Sequence, residues 1–120
     1  MMEAWLAVLL GGALGAPLRY GLGQLIIKRW SGAWPLPTFL VNVLGSFCMG
    51  LLVAVTAEGT LRWFLGTGVL GAFTTFSTFG VEAVTLWERG RTGLAIAYVL
   101  ASACIGIGAA GLGYVWNLGW

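Results

Sequence analysis

Four stretches of apolar residues, near 4–27, 36–57, 62–87 and 92–117, are separated by only a few polar residues each. A hydrocarbon core takes about 20 apolar residues to cross as a helix, so each stretch is long enough to span a membrane. Lys28 and Arg29 with Trp34-Pro35 close the first, Glu58-Gly59-Thr60 the second, and Glu88-Arg89-Gly90-Arg91 the third. Charged residues make up 8% of the 120-residue chain, against about 25% in soluble domains. Trp5, Trp30, Trp34, Trp63, Trp87, Trp116 and Trp120 fall at or near the ends of the stretches, where an amphipathic indole prefers the membrane interface. The pattern predicts an all-α integral membrane protein with a single four-helix transmembrane domain over residues 1–120.

The same inventory excludes several functions. Net charge is +2, from six basic residues that form no run, so there is no electrostatic footprint for nucleic acid. The first stretch is headed by Glu3 and by no Lys or Arg, unlike the basic start of a secretory signal, and is expected to remain as a helix. The chain has no histidine, and its four acidic residues are the scattered Glu3, Glu58, Glu82 and Glu88. No catalytic carboxylate pair or histidine base can be assembled from these, and no enzyme is expected. Cys48 and Cys104 lie inside apolar stretches and are expected to be small buried hydrophobes and not a disulfide or metal pair.

Residues four apart share a helix face, and on that spacing three small or polar stripes emerge. They are Gly11, Gly15, Arg19 and Gly23 on the first helix; Thr38, Asn42, Ser46 and Gly50 on the second; and Tyr98, Ser102, Gly106 and Ala110 on the fourth. Such stripes let membrane helices pack closely, with a hydroxyl or amide as glue. They also line water-filled paths. Asn42 is costly at membrane depth unless something satisfies it. Arg19 must snorkel, face water, or pair with Glu82, the one acid well inside a stretch.

The third stretch contains GAFTTFSTFG at residues 71–80. Gly66, Gly68 and Gly71, followed by Thr74, Thr75, Ser77 and Thr78, lower helix propensity and predict a break near residues 71–78. Lipid cannot satisfy freed backbone groups, so a break must be buried against protein or line a cavity. Phe76 and Phe79 are three apart and are expected to point to one side, either packing or presenting the positive edges of their rings.

The combination of GGALGAPLRY, PTFLVNVLGSF, GAFTTFSTFGVE and the WERGR loop resembles the small Fluc-type (CrcB) fluoride channels over essentially the whole chain. The resemblance implies an antiparallel homodimer in the inner (plasma) membrane that lets cytoplasmic fluoride leave passively, along two pathways at the subunit interface. Phe76, Phe79 and Asn42 match the pathway's rings and amide, and Tyr98 and Ser102 match the start of a polar track on the fourth helix. Ser77 and Thr78 are expected to supply further hydroxyls, Glu82 to stand at a pathway mouth, and Arg19 to serve as a vestibule or structural charge. A structural sodium ion is implied at the backbone carbonyls of Gly71 and Thr74. The chain departs from its relatives at Gly106 and Ala110, where hydroxyls often continue the track.

Two other classes fit a short four-helix chain. A small multidrug or cation exporter wants a deep carboxylate in the first helix, where this chain has Arg19. A non-conducting membrane scaffold needs only the glycine faces. Loop charge gathers on one side, with Lys28, Arg29, Arg89 and Arg91 opposite Arg62. That asymmetry favours one orientation, whereas the resemblance implies both.

Overall fold

Helix α1 covers Met2–Ile27 and α2 covers Leu36–Val55; with a third span and a last helix they make four helices long and apolar enough to cross a membrane. They belong to a computed structural model that describes residues 1–116. The third span, Thr60–Glu88, is composite. It begins with α3 (Thr60–Arg62), continues as a π-helix over Trp63–Leu70, returns to α4 (Gly71–Phe73), breaks, and resumes as α5 (Ser77–Glu88). Helix α6, Thr92–Trp116, completes the bundle. These bounds follow the expected spans to within two residues; position 117, the expected end of the last span, lies outside the described residues, as does Trp120.

The break is narrower than expected. Gly71–Phe73 is still helical and Ser77 already opens the next helix, so only residues 74–76 leave the helical path. Thr74 carries the change of direction, with an extended backbone at φ −84° and ψ 159°. The π-helix is an addition the sequence did not announce. Its wider turn places the Gly71 N–H against the carbonyl of Gly66, five residues back, and π segments of this kind are rare and tend to accompany functional sites.

Glycines set how the spans meet. The first two of the α1 stripe, Gly11 and Gly15, are buried against the π-helix, and a Cβ on either would collide with the carbonyl of Phe64 or Val69. Gly68 returns the contact, since a Cβ there would lie 2.8 Å from the Gly11 Cα. Helix α2 meets α6 in the same way, with Gly50 against the Ala110 carbonyl and Gly113 against the Phe47 carbonyl. Both helix pairs are held by the small-residue contact that membrane bundles use when lipid gives apolar side chains no reason to cluster.

Arg62 fastens the far end of α2. Its guanidinium donates to the Val53 carbonyl at 3.1 Å, to the Thr56 hydroxyl at 3.3 Å and to the Thr56 carbonyl, so it satisfies carbonyls that a helix C-terminus leaves open. The basic residue opposite the Lys28, Arg29, Arg89 and Arg91 side is thereby committed to structure. Cys48 is half-buried, as a small core residue would be, but Cys104 is exposed on the surface of α6; the expectation of two buried thiols fails for Cys104 because α6 turns that face outward.

Close packing at Gly50 and open space at Gly21 give opposite expectations for one substitution. Gly50→Ala should lower the thermal unfolding midpoint of the detergent-solubilised protein, by overpacking worth about 1–3 kcal/mol. Gly21→Ala should leave it unchanged or raise it slightly, since alanine is the better helix former by about 1 kcal/mol.

Candidate functional site

The break is organised around Thr75, all of whose polar groups have partners. Its N–H donates to the Asn42 Oδ1 at 2.8 Å, and its carbonyl accepts from the Asn42 Nδ2 at 2.9 Å. Its hydroxyl accepts from the Thr78 N–H and donates to the Thr78 Oγ1, both at 3.2 Å. The first pair is a two-point grip by a side chain on a backbone 33 residues away; the second caps the start of α5 in the manner of a helix N-cap.

These bonds have a consequence for the preceding turn. In a continuous α-helix the Thr75 N–H would donate to the Gly71 carbonyl and the Thr78 N–H to the Thr74 carbonyl. Both donors are turned elsewhere, so those two carbonyls lose their helical partners. Carbonyl oxygens are the ligands hard cations take, and among the described residues no group of three or more His, Cys, Asp or Glu side chains offers a metal site. Gly71 is helical and its Cβ position meets the Gly66 carbonyl at 3.6 Å, an ordinary contact. Gly71 has an ordinary helical backbone and does not call on glycine's conformational freedom; what sets it apart is its released carbonyl.

Two cavities flank the break and share Thr75 as a wall. The larger, about 490 Å³, is lined on its polar side by Asn42, Ser46, Thr74, Thr75 and Ser102, and on its apolar side by Phe76 and Phe79 among others. The Ser102 Oγ is buried and is the one such side-chain atom without a hydrogen-bond partner among the described residues. The smaller, about 310 Å³, brings Arg19 together with Thr38, Thr75 and Thr78. The α2 stripe thus runs past both cavities. Thr38 borders the smaller, Asn42 and Ser46 border the larger, and Gly50 packs on α6.

Phe76 and Phe79 do point to one side, with ring centroids 5.9 Å apart and planes tilted by 49°. Phe76 is 83% exposed on the chain's surface, while Phe79 is half-buried and continues inward to the Tyr98 ring at 5.1 Å. Tyr98 is fully buried, and its hydroxyl donates to the Glu82 Oε1 at 3.0 Å. Glu82 thus takes its bond from α6, while Arg19 lines the other cavity. Ser77 is exposed at the first position of α5. The fourth-helix stripe divides as its residues suggest: Tyr98 and Ser102 face the site, Gly106 lies against the Ser46 hydroxyl, with its Cβ position 3.7 Å away, and Ala110 packs on Gly50.

Two contributors were not singled out from the sequence. Thr75 is one of four neighbouring hydroxyl residues, and only the fold distinguishes it. Trp34 reads as an interfacial anchor, yet its ring stands edge-on to Tyr98 and to Phe39, at 5.5 Å from each, so the loop after α1 buttresses the inner end of the aromatic row. The clue to Trp34 lies in its position directly before Pro35 and α2, which carries Asn42.

The family described as CrcB-like protein, Camphor Resistance (CrcB), matches residues 6–114. Among curated proteins, a Cereibacter sphaeroides chain named fluoride-specific ion channel FluC is 51% identical over 114 residues, covering 93% of this chain and 90% of its own length. A Thermus thermophilus protein of the same name is 46% identical over 117 residues, covering 94% of both chains. A third, from Paracoccus denitrificans, is 45% identical over 112 residues, covering 91% and 90%.

The Tyr98–Glu82 bond can be weighed directly. A double-mutant cycle on thermal stability, with Tyr98→Phe and Glu82→Ala, each of which removes one partner of the bond, should give a coupling of about 1–3 kcal/mol, as for a partly buried hydrogen bond to a charged group. A coupling near zero contradicts the bond.

Proposed function

The chain belongs to the CrcB family, and from that premise we propose that it is a fluoride-selective channel through which cytoplasmic fluoride leaves the cell passively across the inner (plasma) membrane. The observation that carries the proposal is the cavity beside the break, where the rings of Phe76 and Phe79 face a buried, unpartnered Ser102 hydroxyl. The names of the relatives supply the ion.

Fluoride is small and strongly hydrated, so it enters a protein only where donors replace water. Ser102 offers an uncommitted O–H, and the edges of the two phenyl rings carry partial positive charge without the desolvation cost of a buried cation. Arg19, in the cavity across Thr75, attracts an anion toward the break. Thr78 lines that same cavity, and Ser77, next to it on α5, adds a second hydroxyl at the surface. Beyond Phe79, Tyr98 with Glu82 forms the inner end of the path. Several weak sites in series permit exit as well as entry, and hydrogen fluoride, which enters neutral and dissociates inside, supplies the gradient that the inside-negative potential reinforces.

A second copy, antiparallel to the first, completes the path. The support is the patch around Phe76: beside its ring, 83% exposed, stand the exposed Ser77 and Thr78, whose hydroxyls lipid solvates poorly and an interface can cover. A sodium ion held by the Gly71 and Thr74 carbonyls of both copies belongs to the same proposal, supported by the loss of those carbonyls' helical donors. Those carbonyls would hold the ion, which would supply positive charge and a partner for backbone oxygens that lipid cannot satisfy.

Proteoliposomes test the role of the rings. The unmodified protein should release fluoride and largely retain chloride. Joint Phe76→Ile and Phe79→Ile substitution keeps bulk and apolarity and should cost under about 1.5 kcal/mol of stability, yet it removes the ring edges and should cut fluoride release strongly in a protein that still assembles. Undiminished release from that variant contradicts the assignment.

A further inference from the structure

Among the described residues, Asn42 is the one side chain that holds the break from outside the third span with two hydrogen bonds, and both go to backbone. An amide that served an anion alone would leave its groups free toward the cavity. Here the Oδ1 is spent on the Thr75 N–H and one Nδ2 hydrogen on the Thr75 carbonyl, in the ring-like geometry by which Asn imitates a peptide neighbour. The position is made by its surroundings. Gly45, one turn along α2, has no room for a Cβ, which would strike the Thr74 Cγ2 and lie 3.5 Å from the Phe73 ring. The absent side chain lets residues 73–75 approach α2 closely enough for Asn42 to reach.

We propose that Asn42 is the positioning residue of the break: by taking both backbone groups of Thr75 it withdraws the Thr75 N–H from the Gly71 carbonyl, frees that carbonyl, and fixes the direction in which the Phe76 ring leaves the chain. Two separate features of the site then depend on one side chain. The carbonyl released at Gly71 is a candidate cation ligand, and the ring set by Thr75 lines the larger cavity. Without the grip, the Thr75 N–H is available to return to Gly71 and restore the helical turn, which carries Phe76 with it. The second hydrogen on Nδ2 stays available to the cavity, but the role assigned to Asn42 is exerted through Thr75.

The proposal depends on the channel function only for its transport measurement; the backbone measurement stands without it. Protein labelled with 13C and 15N at threonine, purified in detergent with sodium chloride, gives separate signals for the break and for distant threonines. In Asn42→Ala, the Thr74 Cα resonance should leave its extended position and the Thr75 amide should shift, while Thr85 and Thr92 stay in place. Fluoride release from proteoliposomes should fall by about tenfold or more, as misplacement of a binding group costs. Asn42→Ser, whose hydroxyl is too short to reach both backbone groups, should behave alike and serves where the alanine variant does not fold. Ser102→Ala, which touches the cavity and not the break, should lower release with the Thr74 and Thr75 signals unmoved. If Asn42→Ala or Asn42→Ser lowers release and leaves those signals in place, Asn42 acts as a ligand alone and the proposal is overturned. It is equally overturned if the signals move and release is undiminished. Unmodified protein that releases no fluoride refutes the channel function, while the threonine signals still decide whether Asn42 sets the break.

Discussion

A backbone that leaves the helical path inside a membrane must find partners for its own N–H and C=O groups, because lipid offers none. Residues 74–76 do leave it, and much of the surrounding structure can be understood as the means of satisfying them. Asn42 takes the two backbone groups of Thr75, the Thr75 hydroxyl caps α5 through Thr78, and the Thr74 hydroxyl turns back to the Leu70 carbonyl at 3.0 Å. The segment must lie close to α2 for this to work, and Gly45 provides the space. The cost of an asparagine at membrane depth is offset by the same two bonds, so the polar residue and the break each make the other tolerable.

Close helix contacts keep this arrangement from relaxing. Gly11 and Gly15 seat α1 on the π-helix, and Gly50 and Gly113 seat α2 on α6. α2 therefore presents Asn42 from a fixed distance, and α6 presents Tyr98 and Ser102 from the other side. Gly106 and Ala110, where a hydroxyl track is interrupted, belong to the packed part of α6, and the polar work of that helix is concentrated in its first half. Trp34 extends the buttress, linking the loop after α1 to the Tyr98 ring and so to Phe79 and Phe76.

The four spans were legible because length and hydropathy are local properties, and the interruption of the third was legible because glycines and hydroxyls disfavour a helix wherever they cluster. Its exact extent was not. Gly71–Phe73 stays helical because nothing diverts its N–H groups, whereas Thr75 is diverted by a side chain 33 residues earlier, a contact no local pattern contains. The same holds for Glu82. Its neighbours in sequence leave Arg19 and solvent as candidate partners, and only the packing of α5 on α6 supplies the buried Tyr98 hydroxyl. The π-helix was foreshadowed by Gly66 and Gly68 only as low helix propensity, and Cys104 was misjudged because an apolar setting was read as a buried one: two residues past Ser102, Cys104 lies on the side of α6 away from the Tyr98–Ser102 stripe and is exposed.

In the proposed function an anion crosses at the break, driven by its electrochemical gradient alone. Voltage-clamped current through protein reconstituted in a planar bilayer tests that claim most directly, with fluoride unequal and chloride equal across the membrane and no nucleotide present. The account predicts a steady current whose reversal potential follows the fluoride gradient, near 58 mV per tenfold ratio for a monovalent ion by the same relation of charge to potential that gives about 2.3 kcal/mol per 100 mV, and stays in place when a chloride gradient is added. A reversal potential that moves with chloride or with pH, or a membrane that carries no fluoride current, contradicts it.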